Sequence, residues 1–508
     1  MIARINSVFV EGTTTHPITI ECDITNGLPS MSVIGLSQKS ADGIRERVRA
    51  SILNSGLVFP RKRITINLAP ADLPKDGSIY DLPIALAILV KSGQLQNNLL
   101  KDYCIVGELG LDGSIRACRG ILAISTYSLK ARLKLIAPKR NKDQISLVKG
   151  LNHIPIDSLS SLCDSITSSN SITQNNNKYP DSRIDTPPIE VDISDIIGQA
   201  SAKRALEIAA AGGHNILMTG PPGTGKSMLA KAFSSILPSM SLPEIITVTQ
   251  LHSLVEDNYG SIITSRPFRS PHHSSSHTSL VGGGKYPKPG EISLSHHGVL
   301  FLDELPEFSK LAIESLRQPM EDGRITISRA SRSVTLPAKF ILVATANPCP
   351  CGYLGDTKKV CSCSMSDIVR YKKKLSGPIL DRIDIQIEVL RQPNRSMMDT
   401  SGGENSIDIR KRVERTRKIQ AERYKSAEKT NARLSSRQIR NSLKLSEEVL
   451  SLLNSASEKL DISSRSYFKI IKVARTIADL EESETISIKH MAEALQYRLG
   501  NISIKINT

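Results

Sequence analysis

The sequence has no tryptophan, and aromatic residues make up only 4% of its 508 positions. Stacking platforms for unpaired bases are therefore poorly supplied, so a grip on nucleic acid would have to come through the phosphates. Long apolar runs are missing as well. Nothing approaches the ~20 residues of a membrane-crossing helix, and Met1-Ile-Ala-Arg-Ile-Asn-Ser7 has no signal-peptide core. The expectation is a soluble, cytoplasmic protein without a membrane partner. Acidic residues run short: 50 Asp and Glu against 66 Lys and Arg leave a net charge of +16. Solubility alone could account for that excess, but an acidic partner, above all nucleic acid, accounts for it better. Cysteine is scarce too, with eight in the whole chain, which excludes a disulfide-stapled scaffold. Cys22, Cys104, Cys118 and Cys163 lie scattered in apolar surroundings and read as reduced core residues.

One stretch is chemically explicit. Gly220-Pro221-Pro222-Gly223-Thr224-Gly225-Lys226-Ser227 fits the P-loop pattern at every fixed position. Asn215–Thr219 before it reads as a buried strand, and Met228–Leu237 after it as a helix. A glycine-rich turn between strand and helix N-terminus lets backbone N–H groups close around phosphates. Lys226 would reach the β/γ oxygens, and the Ser227 hydroxyl would ligate Mg²⁺. The chain is expected to bind ATP with Mg²⁺.

Val299-Leu-Phe-Leu-Asp-Glu304 is an apolar run ending in two acids. Such a pair lets Asp303 hold Mg²⁺ while Glu304 polarises the attacking water. Phe340–Asn347 is a second apolar run, and its terminal amide could orient that water or simply cap the strand. Between them, Arg324–Ser328 and Arg332–Leu336 alternate around a short turn, so Arg329 and Arg332 would sit at a cationic hairpin tip offered to DNA. From Val369 to Arg440 there are 19 Lys/Arg against 9 Asp/Glu, a net of +10, which adds to the case for nucleic acid. Cys349-Pro-Cys351 and Cys361-Ser-Cys363 offer four thiolates, which could hold tetrahedral Zn²⁺ or remain reduced thiols.

Residues 1–157 mix strand patterns (Ile18–Asp23, Arg63–Leu68, Cys104–Glu108) with helical ones (Ser40–Ser55, Leu82–Ser92) and read as an α+β domain. Leu28–Leu36, Asn67–Gly77 and Gly107–Gly113 resemble the ribosomal-S5-like fold shared with the proteolytic domain of Lon. In that resemblance a serine after the Pro-Lys-Asp-Gly turn would need a lysine partner. Ser78 follows the turn, but Arg119–Ile124 supplies no lysine, so a scaffold or DNA-contacting collar is expected rather than a peptidase. Residues 158–189 are rich in Ser, Asn, Thr and Asp and read as a flexible linker. The P-loop, the acid-ended run at Val299–Glu304 and the hairpin together resemble an AAA+ domain of the magnesium-chelatase type, and the resemblance implies such a domain over 190–392, with the cysteines in an insertion at 349–363. A helical lid is expected over 393–508. The fold class is thus multidomain α/β.

Arg266–His273, Lys288–Ser295, Gly298–Phe308, Ala346–Gly352 and Ser376–Asp384 together resemble the ComM/YifB family of bacterial magnesium-chelatase-like AAA+ ATPases, and the resemblance runs from Gly27 to Leu499. It implies a homo-hexameric DNA helicase that drives branch migration during natural transformation. It also implies that Asn347 is a sensor of the γ-phosphate and that Arg382 is an arginine finger acting on the neighbouring subunit. On the residues alone, Arg382 could equally pair with Asp381 or Asp384. Arg465 matches a second sensor arginine touching the γ-phosphate of its own subunit. The alternative function is the ATPase motor of a magnesium-chelatase-like complex, since the motor domains look alike.

Overall fold

The computed structural model describes residues 2–169 except 72, 74 and 76, then 191–255, 260–284, 287–329, 332–356, 358–375, 377–392, 403–443, 445–460 and 462–499. The chain divides into two compact units, Met1–Asp185 with Ser241–Thr264, and Thr186–Met240 with Ser265–Thr508.

The first unit is built on strands β1 (Ala3–Glu11), β2 (Thr14–Thr25), β3 (Ser30–Ile34), β4 (Arg63–Ala69), β5 (Tyr103–Ile105), β6 (Lys134–Pro138) and β7 (His153–Ile156). They form one sheet in the order β3-β4-β2-β1-β5-β6-β7. Strict alternation puts Ile18, Ile20 and Cys22 of β2 and Ile64, Ile66 and Leu68 of β4 inside, as a half-covered sheet requires. Helix α1 (Gln38–Asn54) buries Ile44, Val48 and Ile52 at helical spacing, and α2 (Asp81–Lys91) is buried for nearly its whole length. The largely apolar α2 carries one charge inward. Asp81 is fully buried and is gripped by Arg47 through two hydrogen bonds of 2.7 and 3.0 Å. Burial nonetheless outweighs the arginine and pushes the Asp81 carboxyl up to about 6.

Two boundaries differ from the sequence expectation. Composition places a linker from residue 158, yet Leu159–Ser169 is a helix whose Leu159, Leu162, Cys163 and Ile166 enter the core of the first unit. Four apolar side chains at i, i+3, i+4 and i+7 outweigh the surrounding serines. The rest of that expected linker, 170–189, lies outside the described residues. Ser241–Thr264, read as motor sequence, instead clusters with the first unit, where Gln250 and Gln144 donate to the Thr13 and Ser261 carbonyls.

The second unit contains a five-stranded sheet of β8 (Ile216–Thr219), β9 (Phe268–Arg269), β10 (Val299–Leu302), β13 (Ile341–Ala346) and β14 (Ile385–Glu388), in the order β9-β10-β13-β8-β14. Every pairing is parallel. Parallel strands are covered on both faces, which is why β10 and β13 read as unbroken apolar runs. Strands β11 (Arg324–Arg329) and β12 (Arg332–Pro337) make the expected antiparallel hairpin. Helices α3 (Ala200–Gly212) and α4 (Lys226–Ser235) share one apolar core with α5 (Ser406–Tyr424), α6 (Glu447–Leu460), α7 (Ser464–Leu480) and α8 (Ile488–Leu499). The C-terminal helices are therefore packed into the motor through Ile470, Ile471, Ala474 and Ile477.

Candidate active site

All five parallel strands run the same way, so their carboxyl ends open on one edge, where an open α/β sheet places its ligand. At that edge β8 passes into the P-loop and on to α4. Gly223 and Gly225 hold φ of +74° and +86°, a left-handed backbone that side chains with a Cβ disfavour. The loop can thus turn its N–H groups inward and feed the helix N-terminus.

Lys226 is the first residue of α4, and its amine folds back over the loop, donating to the carbonyls of Gly220 (2.6 Å) and Pro221 (2.8 Å) and to Asn347 Oδ1 (3.3 Å). Burial lowers its pKa, partly opposed by the nearby Asp303 and Glu304 carboxylates. The Ser227 hydroxyl donates to Asp303 Oδ2 at 3.1 Å. Thr345, one strand over on β13, donates its hydroxyl to Asp303 Oδ1 and receives the Glu304 N–H at 2.9 Å. Asn347 then donates to Glu304 Oε1 at 3.2 Å. Glu304 itself has φ +52°, an unusual conformation for a residue with a Cβ, and the Thr345 bond helps keep it there.

Lys226, Ser227, Asp303, Glu304 and Asn347 thus form one hydrogen-bonded cluster drawn from three strand ends. Thr345 is a member that the sequence does not announce. Its position two residues before Asn347 on a buried strand gains meaning only once β10 and β13 are paired. The cluster has the donor set that a triphosphate and a hard cation require: a lysine amine, backbone N–H groups, and a hydroxyl beside a carboxylate.

The two arginines lie together in a different way. Arg382 donates to the Pro378 carbonyl (2.6 Å) and pairs with Glu321 Oε1 at 2.9 Å. Arg465, at the start of α7, pairs with the same oxygen at 2.7 Å. The sequence leaves Arg382 open to Asp381 or Asp384, and its ion pair is with neither. Asp384 is instead buried, taking Lys469 Nζ of α7 at 2.6 Å and the Asn215 N–H at 2.9 Å. Burial alone would raise its pKa, but Lys469 and His214 outweigh that and pull it down to about 2. Asp381 receives the Ser466 hydroxyl at 3.5 Å. These bonds tie the arginine-bearing turn to α7.

The cysteines come together as the spacing suggests. Sγ–Sγ distances are 3.4 Å for Cys349–Cys351, and 3.6 Å from Cys361 to each of them. The Cys351 N–H points at Cys363 Sγ at 3.3 Å, and all four sulfurs lie within 4.8 Å of one another. Hydrogen bonds from the Tyr353 and Ser362 backbones draw the Cys351 thiol down to about 6. Four sulfurs around a tetrahedral Zn²⁺ would stand about 3.8 Å apart given the usual ~2.3 Å bond. The cluster can hold a metal ion.

The side chains of Arg329 and Arg332 lie outside the described residues; their backbones form the last rung of the hairpin. Part of the basic excess in 369–440 is engaged by the protein's own groups. Arg410 and Arg417 bond the carbonyls of Ser235 and Ala210, Arg412 pairs with Glu207 and Glu404, and Arg423 pairs with Asp479. In the first unit, the Ser78 hydroxyl donates to Glu108, so its partner is a carboxylate where the Lon resemblance would call for a lysine.

Three family profiles match the chain in sequence order. Residues 20–141 match subunit ChlI of Mg-chelatase, 192–397 match magnesium chelatase subunit ChlI, and 403–498 match the C-terminal part of that subunit. The uncharacterized protein YifB of Escherichia coli K12 is 43% identical over 490 residues, covering 96% of this chain and 95% of the relative. Competence protein ComM of Haemophilus influenzae is 44% identical over 485 residues, covering 95% and 94%. The chain belongs to the magnesium-chelatase-like YifB/ComM family. Within the family the identity spans both units, whereas the magnesium-chelatase 67 kDa subunit of Chlorobaculum parvum is 29% identical over 163 residues, only 30% of this chain. Membership of this AAA+ family brings ATP and Mg²⁺ chemistry to the P-loop cluster. Among the described residues no helix is long and apolar enough to cross a membrane.

Proposed function

We propose that this protein is a cytoplasmic AAA+ ATPase that assembles as a homo-hexamer on DNA and drives branch migration, supporting the integration of incoming DNA. The observation that carries the ATPase reading is the single cluster of Lys226, Ser227, Asp303, Glu304 and Asn347. In it Gly220–Gly225 cradle the phosphates and Lys226 steadies the β/γ oxygens. Ser227 and Asp303 would hold Mg²⁺, which supplies charge neutralisation on the phosphates when bound. Glu304 takes the proton from the attacking water, and Asn347 holds that water against Glu304. Arg382 completes the site of a neighbouring subunit, and Arg465 contacts the γ-phosphate. Cys349, Cys351, Cys361 and Cys363 hold Zn²⁺.

The DNA reading is supported by the competence protein at 44% identity, the net charge of +16 and the cationic hairpin at Arg329 and Arg332. The ribosomal-S5/Lon-like first unit would act as a collar, followed by the AAA+ core and the helical lid. Conversion of a synthetic Holliday junction to duplex products with ATP tests the proposal. The ChlI profiles favour a second reading, the motor of a chelatase-like complex. Hydrolysis that DNA does not stimulate, with no junction moved, would select that reading instead.

A further inference from the structure

The loop carrying the four cysteines is packed against the nucleotide site. It leaves β13 directly after Asn347, so the first sulfur, Cys349, is two residues from that amide. Cys349 is fully buried. Gly352, with φ +84°, lies so close to the P-loop that a Cβ there would stand 2.7 Å from both Cδ and Cγ of Pro222. Further along, the Asp356 side chain is wholly buried and receives Arg391 Nε at 2.8 Å. The same guanidinium reaches across to the Pro222 carbonyl at 3.3 Å. Arg391 follows β14, where the Val389 N–H bonds the Thr219 carbonyl at 2.7 Å. One arginine therefore bridges the cysteine loop and the phosphate loop.

The geometry points to a structural coupling. The metal bound by Cys349, Cys351, Cys361 and Cys363 holds the back wall of the ATP site, and Arg391 is the positioning residue that transmits its presence to Pro222. The four sulfurs converge from either side of Gly352 and Asp356, so a metal bound by them closes the segment that carries both residues. A zinc ion that merely folds a surface loop would leave Pro222 untouched and share no arginine with it. This inference rests on the ATPase reading above and on the cysteines holding Zn²⁺.

The test uses the full-length protein, with metal content by elemental analysis and binding of a fluorescent ATP analogue measured side by side. One zinc per chain is expected in wild type. Arg391→Ala should keep that zinc and lower ATP affinity roughly tenfold, the scale of losing a charged hydrogen bond in a buried setting. Arg391→Lys should recover part of the affinity, and Asp356→Asn should weaken binding in the same direction. Chelation of the zinc should reduce ATP affinity, and added Zn²⁺ should restore it. Absence of zinc overturns the inference, as does wild-type affinity in zinc-loaded Arg391→Ala or in the stripped protein. If the stripped protein fails to stay folded, the Arg391→Ala and Arg391→Lys pair still decides. Lys226→Ala is the control: were wild type to bind ATP no better than that variant, the ATPase reading itself would fall.

Discussion

The P-loop cluster and the arginine pair belong to the same unit, yet they are held in opposite ways. Lys226, Asn347 and Glu304 form one hydrogen-bonded set and Ser227 and Asp303 another, and Thr345 joins the two, so acid, amide and amine are assembled within a single chain. Arg382 and Arg465 both pair with one carboxylate oxygen of Glu321. Family resemblance assigns one arginine to a neighbour and the other to its own nucleotide, and nothing in the sequence signals a shared partner. The contrast teaches that the P-loop cluster is assembled from side chains that bond among themselves, whereas the two arginines are engaged by an acid outside it, so the roles proposed for them require that they first leave Glu321.

The sharpest way to break the comparison is to remove the assembled half. Lys226→Ala should abolish binding of a fluorescent ATP analogue. Glu304→Gln should still bind it while slowing phosphate release by roughly 10²–10³-fold, because shape is kept and the base is lost. Equal binding and turnover in wild type and both variants would end the assignment. The arginine half should behave differently. Arg382→Ala is expected to bind ATP normally, turn over poorly, and regain activity when mixed with Lys226→Ala subunits at shared interfaces. Glu321→Gln should raise steady-state turnover about twofold by releasing both arginines, the Arg465–Glu321 pair in particular being exposed and therefore weak. A fall in turnover would show that Glu321 positions them instead.

Further from the chemistry, Arg329→Ala with Arg332→Ala should leave basal hydrolysis intact and uncouple it from junction movement. The slope of log affinity for DNA against log salt should flatten by about one unit for each arginine that no longer neutralises a phosphate. Because Arg412 pairs with the buried Glu207 and Arg423 with the buried Asp479, reversing either should harm folding rather than this slope. Ser78→Ala should change no activity. A separate effect, away from the chemistry, is on stability with pH. His214 is buried beside Asp384, and burial lowers its pKa to about 4 against an ordinary 6.5. The unfolded chain then binds the extra proton first, so stability should decline as pH falls from about 6.5 towards 4 and level off below. His214→Asn should flatten that segment of a denaturation-versus-pH curve.

The nucleotide site is legible in the sequence because its parts are local. A P-loop spans eight consecutive residues, and each strand that ends in Asp303–Glu304 or Asn347 announces itself as an apolar run with a polar terminus. The hairpin is legible for the same reason, through alternation on both sides of a turn. The cysteine cluster can be named from its spacing, but spacing does not measure how closely the sulfurs converge.

Long-range pairing decided the rest. Arg382, Arg465 and Glu321 are far apart along the chain, and only the packing of α7 against the core brings them to one oxygen. Leu159–Ser169 looks like linker because composition averages over polar neighbours, whereas burial responds to four apolar side chains on one face. Arg391 has no local signal at all; its bonds to Asp356 and Pro222 exist because β14 ends beside the P-loop and the cysteine loop folds back over it. Residue types and their spacing along the chain determined which chemistry this protein can carry. Which cation meets which carboxylate, and which loop supports which, was left to the tertiary structure, since electrostatic and packing energies depend on distances in space rather than in sequence.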